Sequence, residues 1–205
     1  MPDCETLLRD TAVEMAIADP RETHKSGRMS HASLRMATGE DIDLILELIQ
    51  ALADFENLGD QVEATREQLE QSLFSARPAA EVILIFEGAA SVGFAVFHPN
   101  FSTFLGKPGL HLEDLYIRPE FRGRGHGRAL LQHLAQLAVE RGYGRFEWTV
   151  LEWNELAIEF YRRQGAEILP EWRICRVTGE ALDRLAKSSP RKAMNSVDSN
   201  LLGGK

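Results

Sequence analysis

The chain has 205 residues, 44% hydrophobic and 26% charged, with a formal net charge of -8, proportions that suit one soluble domain. No window approaches the roughly 18 apolar residues that cross a bilayer, and the first thirty residues make neither a secretory signal nor a transit peptide, so no membrane partner and a cytoplasmic location are expected. Two cysteines, Cys4 and Cys175, give no disulfide framework, and the acidic balance leaves no basic surface for a nucleic-acid partner while tolerating a cationic small molecule.

Residues 1–32 mix charges and small residues without sustained periodicity and read as a flexible N-terminal extension, with 33–186 as the domain and 187–205 as a flexible, polar, turn-rich C-terminal tail. Within the domain, Ser33 to Ala37 reads as a first strand. Thr38, with Asp41 three residues on, is a helix-start signal, and Ile42, Ile45, Ile49 and Leu52 then recur at helical spacing. Thr65 with Gln68 opens a second, shorter helix carrying Leu69 and Leu73. Val82 to Phe86, a Gly88-Ala89-Ala90 turn and Ser91 to His98 form a hairpin. A strand over Leu110 to Ile117 leads through a glycine-rich turn into a helix ending near Arg141, whose buried side carries Leu130, Leu131, Leu134 and Leu137. A strand at Arg145 to Leu151, a helix at Asn154 to Gln164, a last strand at Trp172 to Val177 and a short closing helix complete a mixed α/β (α+β) order.

The chemistry concentrates after the strand that ends at Ile117, in Arg118-Pro119-Glu120-Phe121-Arg122-Gly123-Arg124-Gly125-His126-Gly127-Arg128. Free N–H groups in the first turn of a helix, the helix dipole and side-chain-free glycines together make a cradle for a pyrophosphate. A dinucleotide fingerprint would need glycine where Arg128 stands, and a P-loop would need Gly-Lys-Ser/Thr, which is absent.

Arg122, Gly125 and Gly127 match the R/Q-x-x-G-x-G/A loop, and the run therefore resembles the pyrophosphate loop of GNAT acetyltransferases. Trp153-Asn154-Glu155 followed by Ile158 to Ala166 resembles the later helix on the CoA side of the same superfamily. Leu112-Glu113-Asp114 ahead of the loop, Ala53-Asp54-Phe55-Glu56 and Leu105-Gly106-Lys107 bring the likeness closer to the diamine (spermidine/spermine) acetyltransferases and their bacterial relatives, over about residues 34–185. The resemblance implies the GNAT fold, a central mixed and mostly antiparallel sheet flanked by helices on both faces. It also implies acetyl-CoA as cosubstrate, a homodimer, and binding of acetyl-CoA by Leu115, Tyr116, Ile117, Arg122 to Arg128 (Gly123, Arg124, Gly125, His126 and Gly127 between them), Asn154, Ala157 and Tyr161. Two positions depart from the family pattern: Phe55 stands in place of a tyrosine and Leu156 in place of a proline.

An alkylamine with a pKa near 10.4 is only ~0.04% neutral at pH 7, so presenting its nucleophilic form costs about 4.6 kcal/mol. By resemblance Glu113 takes the ammonium proton or binds the cation, and Tyr161 is the acid that protonates the departing thiolate. A backbone N–H from Leu115 to Ile117 would stabilise the charge growing on the thioester oxygen. Phe55, Glu56, Glu113, Glu147, Trp148 and Thr149 are the expected acceptor site, while a regular strand would turn Asp114 to the opposite face, a structural position. Asn154 either holds the pantetheine or caps its helix. His98, His111, His126 and His133 share no metal-ligand spacing, so no metal is expected. The resulting expectation is an N-acetyltransferase acting on a primary amine of a diamine, polyamine or lysine-like acceptor by direct attack in a ternary complex. A protein or peptide amine acetyltransferase and a non-catalytic acetyl-CoA sensor are the alternatives.

Overall fold

Runs of β-branched and aromatic residues separated by short turns pair with their neighbours in the chain, and that local rule builds most of the sheet. The computed structural model describes residues 32–187; apart from Ala32 and Lys187, the expected extension and tail lie outside the described residues. Five strands, Ala32–Met36 (β1), Glu81–Glu87 (β2), Ala90–Ser102 (β3), Lys107–Ile117 (β4) and Phe146–Trp148 (β5), lie side by side in chain order. β1 to β4 pair antiparallel, and β5 joins β4 in parallel. This parallel step needs a crossover, which the helix His126–Glu140 (α3) supplies.

Before β2 come Ile42–Phe55 (α1) and Arg66–Phe74 (α2). α2 starts where the sequence signal lies: the Thr65 N–H donates to Gln68 Oε1 at 2.8 Å, and the Gln68 N–H donates to Thr65 Oγ1 at 3.3 Å. α1 is preceded by a short turn in which Asp41 accepts the Thr38 N–H at 2.8 Å and both arms of the Arg35 guanidinium at 2.7 Å. The hydrogen bonds from Arg35, with those from Thr38, hold the Asp41 carboxyl at about 2. A carboxylate depressed in the folded state stabilises above its unfolded pKa, 3.8, and loses that contribution as pH falls through about 2. Asp41→Asn should therefore cost ~1–2 kcal/mol at neutral pH, allowing for the half-exposed arginine, with the gap to wild type closing between pH 4 and 2. Urea unfolding across that range checks this; a gap unchanged by pH would contradict it.

α1 buries Ile42, Ile45, Leu48 and Leu52. Ile45, Leu48 and Leu52 pack with Val82, Leu84, Phe94 and Tyr116, while Leu69 and Leu73 of α2 close the edge of this layer. On the other face Ile83, Ile85, Ala95, Phe97, Leu110, Leu112, Leu115 and Ile117 meet Leu130, Leu131 and Leu134 of α3, and Ala157, Phe160 and Tyr161 of Glu155–Arg163 (α4). Helices thus cover both faces, and the architecture is the expected α/β one with a mixed, mostly antiparallel sheet.

Two expectations change. β5 is three residues long rather than spanning 145–151. Residues 168–187 form a separate unit in which Trp172 to Val177 is not a strand. An isolated β-prone run gains nothing from extending unless a neighbour accepts its hydrogen bonds, and no pairing of it occurs among the described residues. Its apolar side chains Trp172, Ile174 and Val177 stay exposed, and the expected closing helix follows as Gly179–Lys187 (α5).

Candidate active site

A β-bulge in β4 organises the site. Opposite β3, Val96 faces Asp114 and Phe97 faces Leu112, leaving Glu113 as the extra residue. The core records the shift: Leu110 and Leu112, and then Leu115 and Ile117, share one face. The bulge therefore carries Asp114 to the α1 face together with Val96 and Tyr116, instead of the opposite face that a regular strand would give it. The Glu113 carboxylate turns the same way. Its Oε2 lies 3.5 Å from His98 Nε2 and 3.8 Å from His111 Nε2, two rings on strand positions that face each other.

Electrostatics separate these groups. Burial, with Glu113 adding like charge, pushes the Asp114 carboxyl up to about 7, so near neutral pH it exchanges a proton. Burial also lowers the pKa of the His111 imidazole, against the upward pull of Glu113.

β4 also has an open edge. Arg118 donates its N–H to Val92 O of β3 at 2.9 Å, so by antiparallel alternation Tyr116 faces β3 as well, while the N–H groups of Leu115 and Ile117 point the other way. β5 pairs only with Leu110 to Leu112, so strand pairing leaves those two donors available. Of the three residues expected to offer an N–H, Leu115 and Ile117 have the right direction. Tyr116 has its ring against Phe94, centroids 6.5 Å apart.

At the end of β4 the glycine-rich turn enters α3 through Gly125, whose φ of 86° suits glycine. The first helical bond is from the Ala129 N–H to Gly125 O, so the N–H groups of His126, Gly127 and Arg128 have no acceptor within the helix. No acidic side chain stands in that first turn. These donors and the helix dipole fit a pyrophosphate. The side chains around them brace the loop: Glu87 accepts from His126 Nε2 at 2.9 Å and pairs with Arg124 at 3.2 Å. Arg122 donates Nε–H to Ile117 O at 2.9 Å and lies 4.2 Å over the Phe55 ring. Phe55, expected in the acceptor site, is thereby the stacking partner of the loop arginine.

Tyr161 is fully buried, its ring 4.9 Å from Trp148 and 5.5 Å from Phe160. Asn154 caps α4, its side-chain oxygen accepting the Ala157 N–H at 3.0 Å, which also commits the one N–H that Ala157 could offer. In β5 the pleat separates neighbours: Trp148, opposite Leu112, stands on the α3 face with Tyr161, whereas Glu147, opposite His111, lies on the face of Glu113. Glu147 pairs with Arg145 at 3.0 Å and accepts from Asn100 Nδ2. Thr149 follows β5 and is half-buried. Glu56, just past α1, lines a cavity of about 280 Å³ with Asn57, Leu58, Leu151 and Trp153.

The strand pairing therefore gathers Glu113, Asp114, Glu147, His98 and His111 on one face. The open β4 edge and the start of α3 lie at the end where Tyr116 and Ile117 are. Sequence spacing missed His98 and His111 because the register of β3 on β4, not linear distance, joins them. Asp114 was missed because an extra residue in a strand leaves no mark in an apolar pattern.

A family model described as "Acetyltransferase (GNAT) family" matches residues 46–166. The chain is 32% identical to L-ornithine N5-acetyltransferase of Arabidopsis thaliana, over 81% of this chain and 92% of that one. It is 34% identical to thialysine N-epsilon-acetyltransferase of Sus scrofa, over 77% and 99%. Among solved structures, an integron cassette protein from the mobile metagenome of V. cholerae superposes with a TM-score of 0.65 at 28% identity, covering 79% of this chain and all 100% of that one.

Proposed function

The chain belongs to the GNAT acetyltransferase family and is an N-acetyltransferase, and from that premise we propose that it transfers acetyl from acetyl-CoA to the primary amine of a small cationic acceptor. The observation that carries the acceptor class is the β4 bulge, which turns Glu113 and Asp114 to one face with Glu147 on the neighbouring strand. Glu113 on this face, with Asp114 beside it and Glu147 held by Arg145, attracts an alkylammonium ion and offers its proton somewhere to go. L-Ornithine and thialysine, named for the two relatives, both end in such an amine, so a lysine-like, diamine or polyamine acceptor suits the site.

In this reading acetyl-CoA supplies the activated thioester carbonyl. The N–H groups of His126, Gly127 and Arg128 hold its pyrophosphate, and Arg122, Arg124 and Gly123 to Gly125 shape that turn. Leu115 and Ile117 direct their N–H groups along the open edge, where they bind the donor and stabilise negative charge on its carbonyl oxygen. Glu113 takes the ammonium proton, with Asp114 beside it able to share that proton near neutral pH, and Tyr161 donates a proton to the departing sulfur. The alternation of β5 supports Glu147 for cation binding and Trp148 for supporting the Tyr161 ring. Residues 32–167 contain no cysteine, which favours direct attack over transfer through an enzyme thioester. Initial velocities measured against both acetyl-CoA and a diamine should give intersecting reciprocal lines; parallel lines would contradict direct attack.

A homodimer is the proposed quaternary state, supported by the apolar side chains that residues 168–187 leave exposed, Trp172 and Ile174 among them. Light scattering that reads a single-chain mass at micromolar concentration would count against it.

A further inference from the structure

We propose that His98, His111 and Glu113 form a binding site for a zinc-like divalent transition-metal ion, and that its occupancy blocks the acceptor amine. His98 and His111 are directly opposed across β3 and β4, with ring centroids 5.0 Å apart and planes 35° from parallel. One ligand atom from each of the three residues lies within 4.8 Å of the others. Glu113 Oε2 is 3.5 Å from His98 Nε2 and 3.8 Å from His111 Nε2. Those separations are too long for hydrogen bonds. A tetrahedral ion with nitrogen and oxygen ligands at ~2.0–2.2 Å sets them roughly 3.3–3.6 Å apart, so the carboxylate already stands near the required distance from each imidazole, and the imidazole pair, within 4.8 Å, closes by rotation of two partly open side chains.

The tautomer at His98 points the same way. Its Nδ1 lies 3.3 Å from the Pro99 carbonyl oxygen, which can only accept, so Nδ1 carries the hydrogen and Nε2 keeps its lone pair in the neutral ring. This backbone carbonyl is the kind of outer partner that orients a ligating imidazole. Nε2 is then the nitrogen directed at Glu113 Oε2, the side on which an ion would bind. All three side chains are partly open, 34%, 21% and 34% exposed for His98, His111 and Glu113, so an ion can reach them. Three protein ligands leave the fourth tetrahedral position to water, and two imidazoles with one carboxylate favour zinc, cobalt, nickel or copper over magnesium or calcium.

The blocking half of the inference rests on the proposed role of Glu113, whose carboxylate cannot serve an ion and an ammonium group together. The test uses the full chain freed of metal by a chelator that is then removed. Equilibrium dialysis with Zn²⁺, and the visible spectrum with Co²⁺, should show one ion per chain and tetrahedral cobalt bands. His98→Ala and His111→Ala should each weaken binding about 100-fold, with circular dichroism establishing that the variants are folded. Zn²⁺ should raise the KM for the amine while leaving kcat at saturating amine. Failure of the wild type to bind, or equal binding by folded variants, overturns the site; binding through these residues that leaves the amine KM unmoved overturns the blocking. Metal binding is read without turnover, so a chain that binds Zn²⁺ but acetylates no amine would contradict the proposed function alone.

Discussion

Tyr161→Phe is expected to lower kcat by about 10²–10⁴-fold, the range for removing a positioned general acid, while the KM for acetyl-CoA moves only a few-fold. The substitution isolates the hydroxyl. The ring is fully buried against Trp148 and Phe160, and phenylalanine keeps that volume and those contacts, so no cavity opens in the layer formed with Leu112, Leu115 and Ala157. A drop in kcat with an unchanged melting temperature then reports chemistry. A substantial fall in melting temperature with kcat retained would instead make Tyr161 a packing residue. Steady-state kinetics beside a thermal melt separates the two.

Glu113→Gln is the second large effect. The variant keeps size and polarity but cannot take a proton, and kcat/KM for the amine should fall by about 10²–10⁴-fold at pH 7. With the enzymic base gone, rate depends on the fraction of amine already neutral, which rises tenfold per pH unit up to about 10.4. The deficit should therefore shrink steadily as pH is raised from 7 to 9. A residue that only attracts the cation would give another pattern, a raised KM with kcat preserved and no such recovery. The profile of kcat/KM against pH for wild type and variant decides between proton acceptor and counter-ion.

Much of this arrangement was legible in the residues. Helix starts at Thr65 and Asn154, the hairpin around Gly88 and the entry into α3 at Gly125 each rest on a local device, a cap, a turn or a positive φ, that a few neighbouring residues specify. The open N–H groups at the start of α3, proposed here to hold a pyrophosphate, were readable for the same reason, since glycine spacing and a helix start are both local. What escaped was set by pairing across the sheet. The extra residue at Glu113 arises from how β3 and β4 settle against each other, and it decides whether Asp114 points to the α3 face or to the α1 face. The meeting of His98 with His111, the separation of Trp148 from Glu147 by the pleat and the stacking of Phe55 under Arg122 are likewise products of register. Trp172 to Val177 marks the opposite limit: its residues favour extended structure, but a strand exists only where another strand pairs with it.

The most direct test of the account is release of free CoA thiol from acetyl-CoA in the presence of ornithine, thialysine, lysine, putrescine and spermidine, measured with the full chain. Thiol release that requires one of these amines, with an acetylated amine as the second product, is the predicted result. No release with any of them from a chain that binds acetyl-CoA would contradict it, directing attention to a protein amine as acceptor or to a sensing role without transfer.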